Sequence, residues 1–268
     1  MIKKQKYAIV FDMDETLGSF SQLYKFWILT KIFLKNEFLP NKYFFQILDL
    51  FPDFLRPQLI RLLKNIKNKK KLNICNYAMI YTNNNGPDDW ANIIRDYLHY
   101  KIGYDLFDKI IRAFKINGKQ IEVCRSSHGK SYRDFINCTK LPSNTKVCFL
   151  DDVYHEQMVN DNVLYINIKP YHHNENYNTM CERFYKKNEN LFYTNLRDYQ
   201  NFINLNTSNH NLNALNKPTR QKHIEYLFTN HIINEINKFF NIRENHTKKN
   251  KKNNKNNKNK KNKKTHKL

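Results

Sequence analysis

Uninterrupted apolar runs recur along the chain and predict strands that are buried on both faces. The first run, YAIVF, leads directly into Asp12 and predicts a strand over residues 7–12. Comparable runs predict further strands over residues 74–82, 109–114, 146–152 and 163–168. Strands of this kind are typical of the centre of a parallel sheet.

Segments with the apolar spacing of helices separate these runs. Phe20, Leu23 and Trp27 fall at i, i+3 and i+7 within an aromatic-rich insertion, residues 19–51, that follows the first strand. This insertion is either a cap that gates a crevice or a helical layer packed on the sheet. Alternating strands and helices predict an α/β fold, a Rossmann-like parallel sheet sandwiched by helices. Further helices are predicted over 57–67, with Pro57 in the first turn, over 88–100 and 130–137, and in a C-terminal helical extension, 186–245.

Polar residues stand where three of the predicted strands end. In open parallel sheets, ligands bind outside the carboxyl ends of the strands, so these side chains are expected in one crevice. Carboxylates without neighbouring His or Cys ligands favour Mg²⁺ over zinc, and Mg²⁺ commonly binds together with a substrate phosphate. The polar residues are Asp12 and Asp14, Thr82 and Asn83, and Asp151 and Asp152.

This arrangement permits phosphoryl-transfer chemistry. An aspartate such as Asp12 can attack phosphorus and form an aspartyl-phosphate. Asp14, two residues further along an extended chain, can protonate the leaving oxygen and later activate water. Thr82 and Lys130 can supply donors to the phosphoryl oxygens.

The charge of the chain is strongly positive, +22 in total. The Lys/Asn-rich tail, 246–268, carries 11 lysines and no acid, which leaves +11 for the rest of the chain. A basic protein favours anionic partners, and such a tail is expected to be disordered. The tail predicts nuclear targeting or nonspecific nucleic-acid binding. The alternative is that A-rich codons alone enriched lysine and asparagine.

The cysteines and the hydropathy indicate a location inside the cell, in the cytoplasm or nucleus, and not secretion. Five cysteines occur without a CxxC or zinc-type spacing, so mostly free thiols are expected. The most apolar stretch, residues 23–34, is interrupted by Lys25 and Lys31 and is shorter than the ~20 residues of a membrane span. No membrane association is expected.

Four features follow one another along the chain: the motif FDMDETL, a strand that ends in Thr82, the downstream Lys130, and a strand that ends in Asp151-Asp152. In this order they resemble the four motifs of the haloacid dehalogenase superfamily of aspartate-nucleophile phosphatases. Within this superfamily, the form DETL of the first motif resembles that of the phosphatases of the RNA polymerase II carboxy-terminal domain and their nuclear-LIM-interactor-like relatives. The segment LRPQLIRLLKNI, residues 55–66, resembles the same subfamily. The resemblance covers residues 7–185 and implies a phosphatase domain over residues 1–185.

The resemblance implies that Asp12 is the nucleophile, that Asp14 is the general acid/base, and that Thr82 and Lys130 hold the phosphoryl group. It implies Mg²⁺ as cofactor, with Asp12, the Asp14 carbonyl and the pair Asp151/Asp152 as ligands and Asp152 favoured within that pair. Thr16, which also braces the loop, and Asn83 are expected beside the substrate. The implied substrate is a phosphoserine or phosphothreonine protein.

Two motifs depart from the subfamily. The second motif reads YTNNNG where the subfamily has Thr-Ala or Ser-Ala, and Val-Tyr-His follows Asp152 where it has Ser-Pro. Arg133 is an alternative to Lys130, because it directly precedes Asp134-Phe135. Phosphatases of small molecules or nucleic-acid ends, and a non-catalytic binding protein with the same fold, remain alternatives.

Overall fold

The computed structural model describes residues 5–86, 89–207, 220 and 222–241. Among them, five parallel strands form one sheet in the order β3-β2-β1-β6-β7, and a hairpin of β4 and β5 stands apart from it. The predicted Rossmann-like α/β fold is therefore confirmed. The strands are β1 (Tyr7–Phe11), β2 (Tyr77–Tyr81), β3 (Lys109–Ile111), β4 (Lys115–Ile116), β5 (Lys119–Gln120), β6 (Lys146–Asp151) and β7 (Val163–Asn167).

The central strand β1 lies between β2 and β6, and this order brings the three polar strand ends together. In the sheet register, Phe11 pairs with Ile80 on one side and with Leu150 on the other. Beyond this pair the ladder extends by one more bond, in which Asp12 N–H donates to Leu150 O at 2.8 Å. Asp12 therefore lies level with the last residue of β6, Asp151.

Eight α-helices occur within the described residues. The third helix begins after Gln58, which has a left-handed φ of 62°, so the prediction that Pro57 lies in the first turn is wrong. Asp88 and the Lys/Asn tail, 246–268, lie outside the described residues. The helices are α1 (Ser21–Phe33), α2 (Asn41–Leu50), α3 (Leu59–Lys71), α4 (Trp90–Ile102), α5 (Tyr132–Thr139), α6 (Tyr177–Lys187), α7 (Leu196–Thr207) and α8 (222–241).

The two faces of the sheet are covered unequally. Alternate residues of β1 point to opposite faces, as the pleat of a strand requires. Ile9 and Phe11 belong to a large core that includes residues of seven of the helices. Ala8 and Val10 belong to a smaller core that includes residues of α5. Helices therefore cover both faces, with most of the apolar mass on one of them.

The insertion, 19–51, is packed into the larger core. Phe20 and Phe26 are fully buried, and the Thr30 and Tyr199 hydroxyls hydrogen bond at 2.6 Å, which joins α1 to α7. Phe44 of α2 packs against Trp90 of α4 with 5.2 Å between ring centroids. The insertion is thus part of the helical layer, as one of the two alternatives predicted.

The C-terminal part of the described chain packs on the same core. Helix α6 spans the predicted boundary between 185 and 186. Ile236 and Phe240 of α8 are fully buried, and Phe239 packs against Tyr7 of β1 with ring centroids 5.8 Å apart. Within the described residues, none of the helices has the length and apolar character needed to cross a membrane.

The cysteine prediction holds for three of the five residues. Cys75, Cys148 and Cys181 are buried and form no disulfide among the described residues. Cys124 and Cys138 form a disulfide, which the spacing of the cysteines in the sequence did not indicate. They are 14 residues apart in the sequence. Hydrogen bonds from Ser126 to Asp134 of α5 hold the segment that carries Cys124 beside the helix that carries Cys138.

Candidate active site

The segment that follows β1 turns back on itself within a few residues. Glu15 adopts a left-handed φ of 55°, and its N–H donates to Gly18 O at 2.8 Å. Gly18 is required here, because a Cβ atom at this position would lie 2.5 Å from Phe54 O and 2.6 Å from Phe20 Cζ. Burial, and next the charge of Asp14, raise the pKa of Glu15 to about 7. The turn fixes the backbone on which Asp12 and Asp14 are carried.

Arg56 braces this turn from the side of the helical layer. Its Nε donates to Thr16 O at 2.7 Å, and its Nη2 donates to Glu15 O at 2.6 Å and to Lys169 O at 2.8 Å. The guanidinium is buried, and burial lowers its pKa to about 10. Lys169 follows β7, so Arg56 ties the turn after β1 to the chain after β7. This gives the Arg-Pro segment of the sequence a structural role.

Lys130 lies between two of the predicted carboxylates. Its Nζ is 2.5 Å from Asp12 Oδ1 and 2.7 Å from Asp151 Oδ2, and all three side chains are buried. The other oxygen of Asp151 accepts the Val153 N–H at 2.9 Å. Burial raises the pKa of Asp151, and Lys130 opposes that rise. Arg133, the alternative to Lys130, is exposed on α5.

Three carboxylates form a group that can hold a cation. One oxygen from each of Asp12, Asp151 and Asp152 lies within 4.8 Å of the others. Thr16 Oγ1 donates to Asp152 Oδ1 at 3.1 Å and so orients this acid. One ammonium, that of Lys130, serves two of the three acids, so a second positive charge fits the group. A donor set made entirely of carboxylate oxygens is the kind that hard cations such as Mg²⁺ prefer.

Asp14 lies next to this group and is held by the loop after β2. Its Oδ2 accepts a hydrogen bond from Asn84 Nδ2 at 2.7 Å. Its Oδ1 is buried and has no hydrogen-bond partner among the described residues. Burial raises the pKa of Asp14 to about 6, and Asn84 opposes this rise. A carboxyl group with this pKa exchanges a proton readily near neutral pH.

Thr82 and Asn83 follow β2, and both contact a buried arginine. Arg125 Nη1 donates to Thr82 O at 3.2 Å, and its Nη2 donates to Asn83 Oδ1 at 2.8 Å. The same Nη2 donates to His128 O at 2.9 Å. The Thr82 hydroxyl accepts the Asn84 N–H at 2.9 Å, so its own hydrogen is free to be donated. Arg125 therefore joins the loop after β2 to the segment that leads to Lys130.

Further contacts fix the segment before Lys130. Asp134 of α5 is fully buried and accepts hydrogen bonds from Ser126 N–H at 3.0 Å and from Ser126 Oγ at 2.9 Å. The disulfide between Cys124 and Cys138 ties the same segment to the end of α5. Three kinds of contact therefore position the backbone that carries Lys130: the arginine, the buried aspartate and the disulfide.

The structure adds three residues that the sequence analysis missed. Asn84 contacts Asp14, and Arg125 holds two loops together. His155 Nε2 lies 3.6 Å from Asp151 Oδ2, and burial, followed by Lys130, lowers its pKa to about 4. In the sequence, the unusual motif YTNNNG could have indicated Asn84, and the unusual residues Val-Tyr-His after Asp152 could have indicated His155.

The site thus brings Asp12, Asp14, Lys130, Asp151 and Asp152 to one end of the sheet, with Thr82 on the neighbouring strand end. The Asp14 carboxylate is held by Asn84 and is not part of the cation-binding group, so only its backbone carbonyl remains as a predicted ligand. Thr16 contacts Asp152, and Asn83 contacts Arg125. No protein-family model, curated protein or solved structure matches this chain.

Proposed function

We propose that this protein is a Mg²⁺-dependent phosphomonoester hydrolase of the haloacid dehalogenase type that acts through an aspartyl-phosphate. The observation that carries the proposal is the buried contact of Lys130 with both Asp12 and Asp151, beside Asp152 and next to Asp14. One lysine is shared by two acids, and a third acid lies close by, so the site carries excess negative charge. This supports a functional site that binds a positively charged ligand such as a metal ion.

The first step of the proposed reaction forms a covalent bond to Asp12. A carboxylate oxygen of Asp12 attacks phosphorus, and the bond between phosphorus and the ester oxygen breaks. Asp14 donates its proton to the departing oxygen, which leaves as an alcohol. Lys130 and the Thr82 hydroxyl donate hydrogen bonds to the phosphoryl oxygens as charge spreads over them.

The second step regenerates Asp12. Asp14, now a carboxylate, takes a proton from a water molecule, and the water oxygen forms a bond to phosphorus. The bond between phosphorus and Asp12 breaks, and inorganic phosphate leaves. Asp12, Asp152 and the Asp14 carbonyl would hold Mg²⁺, which supplies positive charge beside the phosphoryl oxygens when it is bound.

The proposed substrate is a phosphoserine or phosphothreonine protein. The DETL form of the first motif and the Arg-Pro segment support this class, and Arg56 contacts the DETL backbone directly. The net charge of +11 outside the tail favours any anionic partner, so phosphorylated nucleic-acid ends are the second candidate.

The test is hydrolysis by the purified full chain with Mg²⁺ or with EDTA. The substrates are phosphoserine and phosphothreonine peptides, nucleotides and oligonucleotides with a 3′-phosphate. Asp12→Asn and Asp14→Asn remove the proposed nucleophile and acid/base, and Asp161→Asn changes an exposed acid as a matched control. We expect Mg²⁺-dependent release of phosphate from phosphopeptides by wild type and by Asp161→Asn alone.

Two other results would change the proposal in different ways. Faster turnover of the oligonucleotides than of the peptides would move the substrate class to nucleic-acid ends and keep the reaction. Equal, slow release by wild type and by Asp12→Asn on every substrate would refute the proposed reaction.

A further inference from the structure

Asn84 is held in a single orientation by the turn that follows β2. Its backbone N–H donates to Thr82 Oγ1 at 2.9 Å, and its side-chain Oδ1 accepts the Gly86 N–H at 2.8 Å. The amide oxygen is therefore already used as an acceptor. Because the amide group is planar, its NH₂ group must face the other way, toward Asp14.

This orientation distinguishes the two oxygens of Asp14. Asn84 Nδ2 donates to Asp14 Oδ2 at 2.7 Å, so a lone pair of Oδ2 is occupied and its position is fixed. Asp14 Oδ1 is buried and lacks a hydrogen-bond partner among the described residues. A buried polar atom without a partner needs an explanation, and a catalytic role is one that fits the position of Oδ1 beside the three carboxylates.

We propose that Asn84 is a positioning residue that anchors Asp14 through Oδ2, so that Oδ1 is the atom that gives a proton to the leaving oxygen. This inference deepens the proposed function and rests on it. The proton moves from Oδ1 to the ester oxygen as the bond to phosphorus breaks. The hydrogen bond from Asn84 stays in place, and it stabilises the carboxylate that remains.

The proposal predicts an effect that depends on the leaving group. An alcohol or a weakly acidic phenol needs a proton to leave, whereas a strongly acidic phenol leaves as an anion without one. Loss of the Asn84 anchor should therefore slow the first class of ester and spare the second. A merely structural role for Asn84 would slow both classes equally.

The experiment compares phenyl phosphate with 2,4-dinitrophenyl phosphate, two monoesters of similar shape. It measures kcat/KM, which reports the step that breaks the ester bond, for wild type, Asn84→Ala and Asn84→Ser. Serine can still accept the Gly86 N–H but is too short to reach Asp14. Asn85→Ala, at the exposed neighbouring position, is the matched control, and thermal unfolding verifies that each variant is folded.

We expect both Asn84 variants to lose about 10- to 100-fold in kcat/KM on phenyl phosphate, since general acid catalysis contributes roughly 10²- to 10⁴-fold. The loss on 2,4-dinitrophenyl phosphate should stay below about threefold, because little of that contribution applies to a leaving group that needs no proton. Asn85→Ala should match wild type on both esters. Equal losses on the two esters, or no loss on either, would overturn the role of Asn84 and leave the proposed hydrolase intact. A wild type that hydrolyses neither these esters nor any of the phosphopeptides, nucleotides and oligonucleotides would overturn both.

Discussion

Lys130 and Asp12 form an ion pair in the interior of the protein, with Lys130 Nζ 2.5 Å from Asp12 Oδ1. The same ammonium contacts Asp151, so one positive charge serves two buried acids. Removing one member of a buried pair leaves the other charge uncompensated, which costs more than the pair itself contributes. The contact therefore links the stability of the protein to the proposed phosphoryl site.

Replacing the shared cation should affect folding and activity together. Lys130→Met leaves Asp12 and Asp151 without their counter-charge, and we expect the free energy of unfolding to fall by about 3–5 kcal/mol in urea titrations. Hydrolysis should fall below detection in the same protein. Arg133→Met, on the exposed face of α5, is the control and should stay within about 0.5 kcal/mol of wild type. Equal effects of the two substitutions would contradict the assignment of Lys130 to the site.

Arg56 should not be replaceable by lysine. Its guanidinium donates to three backbone carbonyls, those of Thr16, Glu15 and Lys169. A lysine has a single ammonium at a different position and cannot reproduce this fork. We expect Arg56→Lys to lower the free energy of unfolding by about 2–4 kcal/mol, because hydrogen bonds to charged groups contribute about 1.5–3 kcal/mol each and some are retained. Arg61→Lys, on the exposed side of α3, should have little effect in the same assay, and a stable Arg56→Lys protein would contradict the bracing role.

The metal-free protein should lose stability as the pH rises from about 4 to about 7. Burial raises the pKa of Asp14 to about 6, whereas an aspartate in an unfolded chain titrates near 3.9. The folded state therefore binds more protons over this range. The stability from Asp14 is fully present below the unfolded pKa and is lost as the pH passes through the folded value.

Urea titrations in EDTA across this range provide the measurement. Asp14→Asn should reduce this decline without abolishing it, because the pKa of Glu15 is also raised, to about 7, and its stabilising contribution is lost over the same range. Asp161→Asn should reproduce wild type. Because Mg²⁺ binds the deprotonated acids, its stabilising effect should be larger at pH 7 than at pH 5. If the free energy of unfolding of Asp14→Asn falls with pH as steeply as that of wild type, Asp14 does not titrate in this way.

The disulfide between Cys124 and Cys138 should stabilise the segment that carries Arg125 and leads to Lys130. Closing a loop of this length is worth about 3 kcal/mol in the chain-entropy model. We expect Cys138→Ser to lower the free energy of unfolding by about that amount under oxidising conditions. In excess dithiothreitol the difference between wild type and the variant should disappear. If the difference persists in the reductant, it arises from packing and not from the cross-link.

The strand ends could be predicted from the sequence because each is marked by neighbouring residues, an apolar run followed directly by an acid. Asp12 and Asp151 directly end or follow apolar runs, and a parallel sheet brings such ends together. Lys130 was predicted from its place before a short helix and from the resemblance. The structure places it against both acids.

The residues that the sequence did not reveal act through contacts set by distant backbone. Asn84 reaches Asp14 only because the turn at Gly86 orients its amide, and one residue earlier Asn83 contacts Arg125 instead. His173 lies in a loop after β7, yet it is buried against Phe54 and its carbonyl accepts the Ser19 hydroxyl. The motif YTNNNG marks Asn84 as unusual, but neither a motif nor a periodicity specifies which atoms these side chains contact.

The central claim is that Asp12 becomes phosphorylated during turnover. Asp14→Asn should slow the attack of water, so the covalent intermediate should accumulate when this variant meets a reactive aryl phosphate and Mg²⁺. Mass spectrometry of peptides from the quenched protein measures it directly. We predict one added phosphoryl group on Asp12, removed by hydroxylamine and absent from the double variant Asp12→Asn/Asp14→Asn. Release of the phenol by wild type, with no phosphoryl group on Asp12 in the Asp14→Asn protein at any time, would contradict the account.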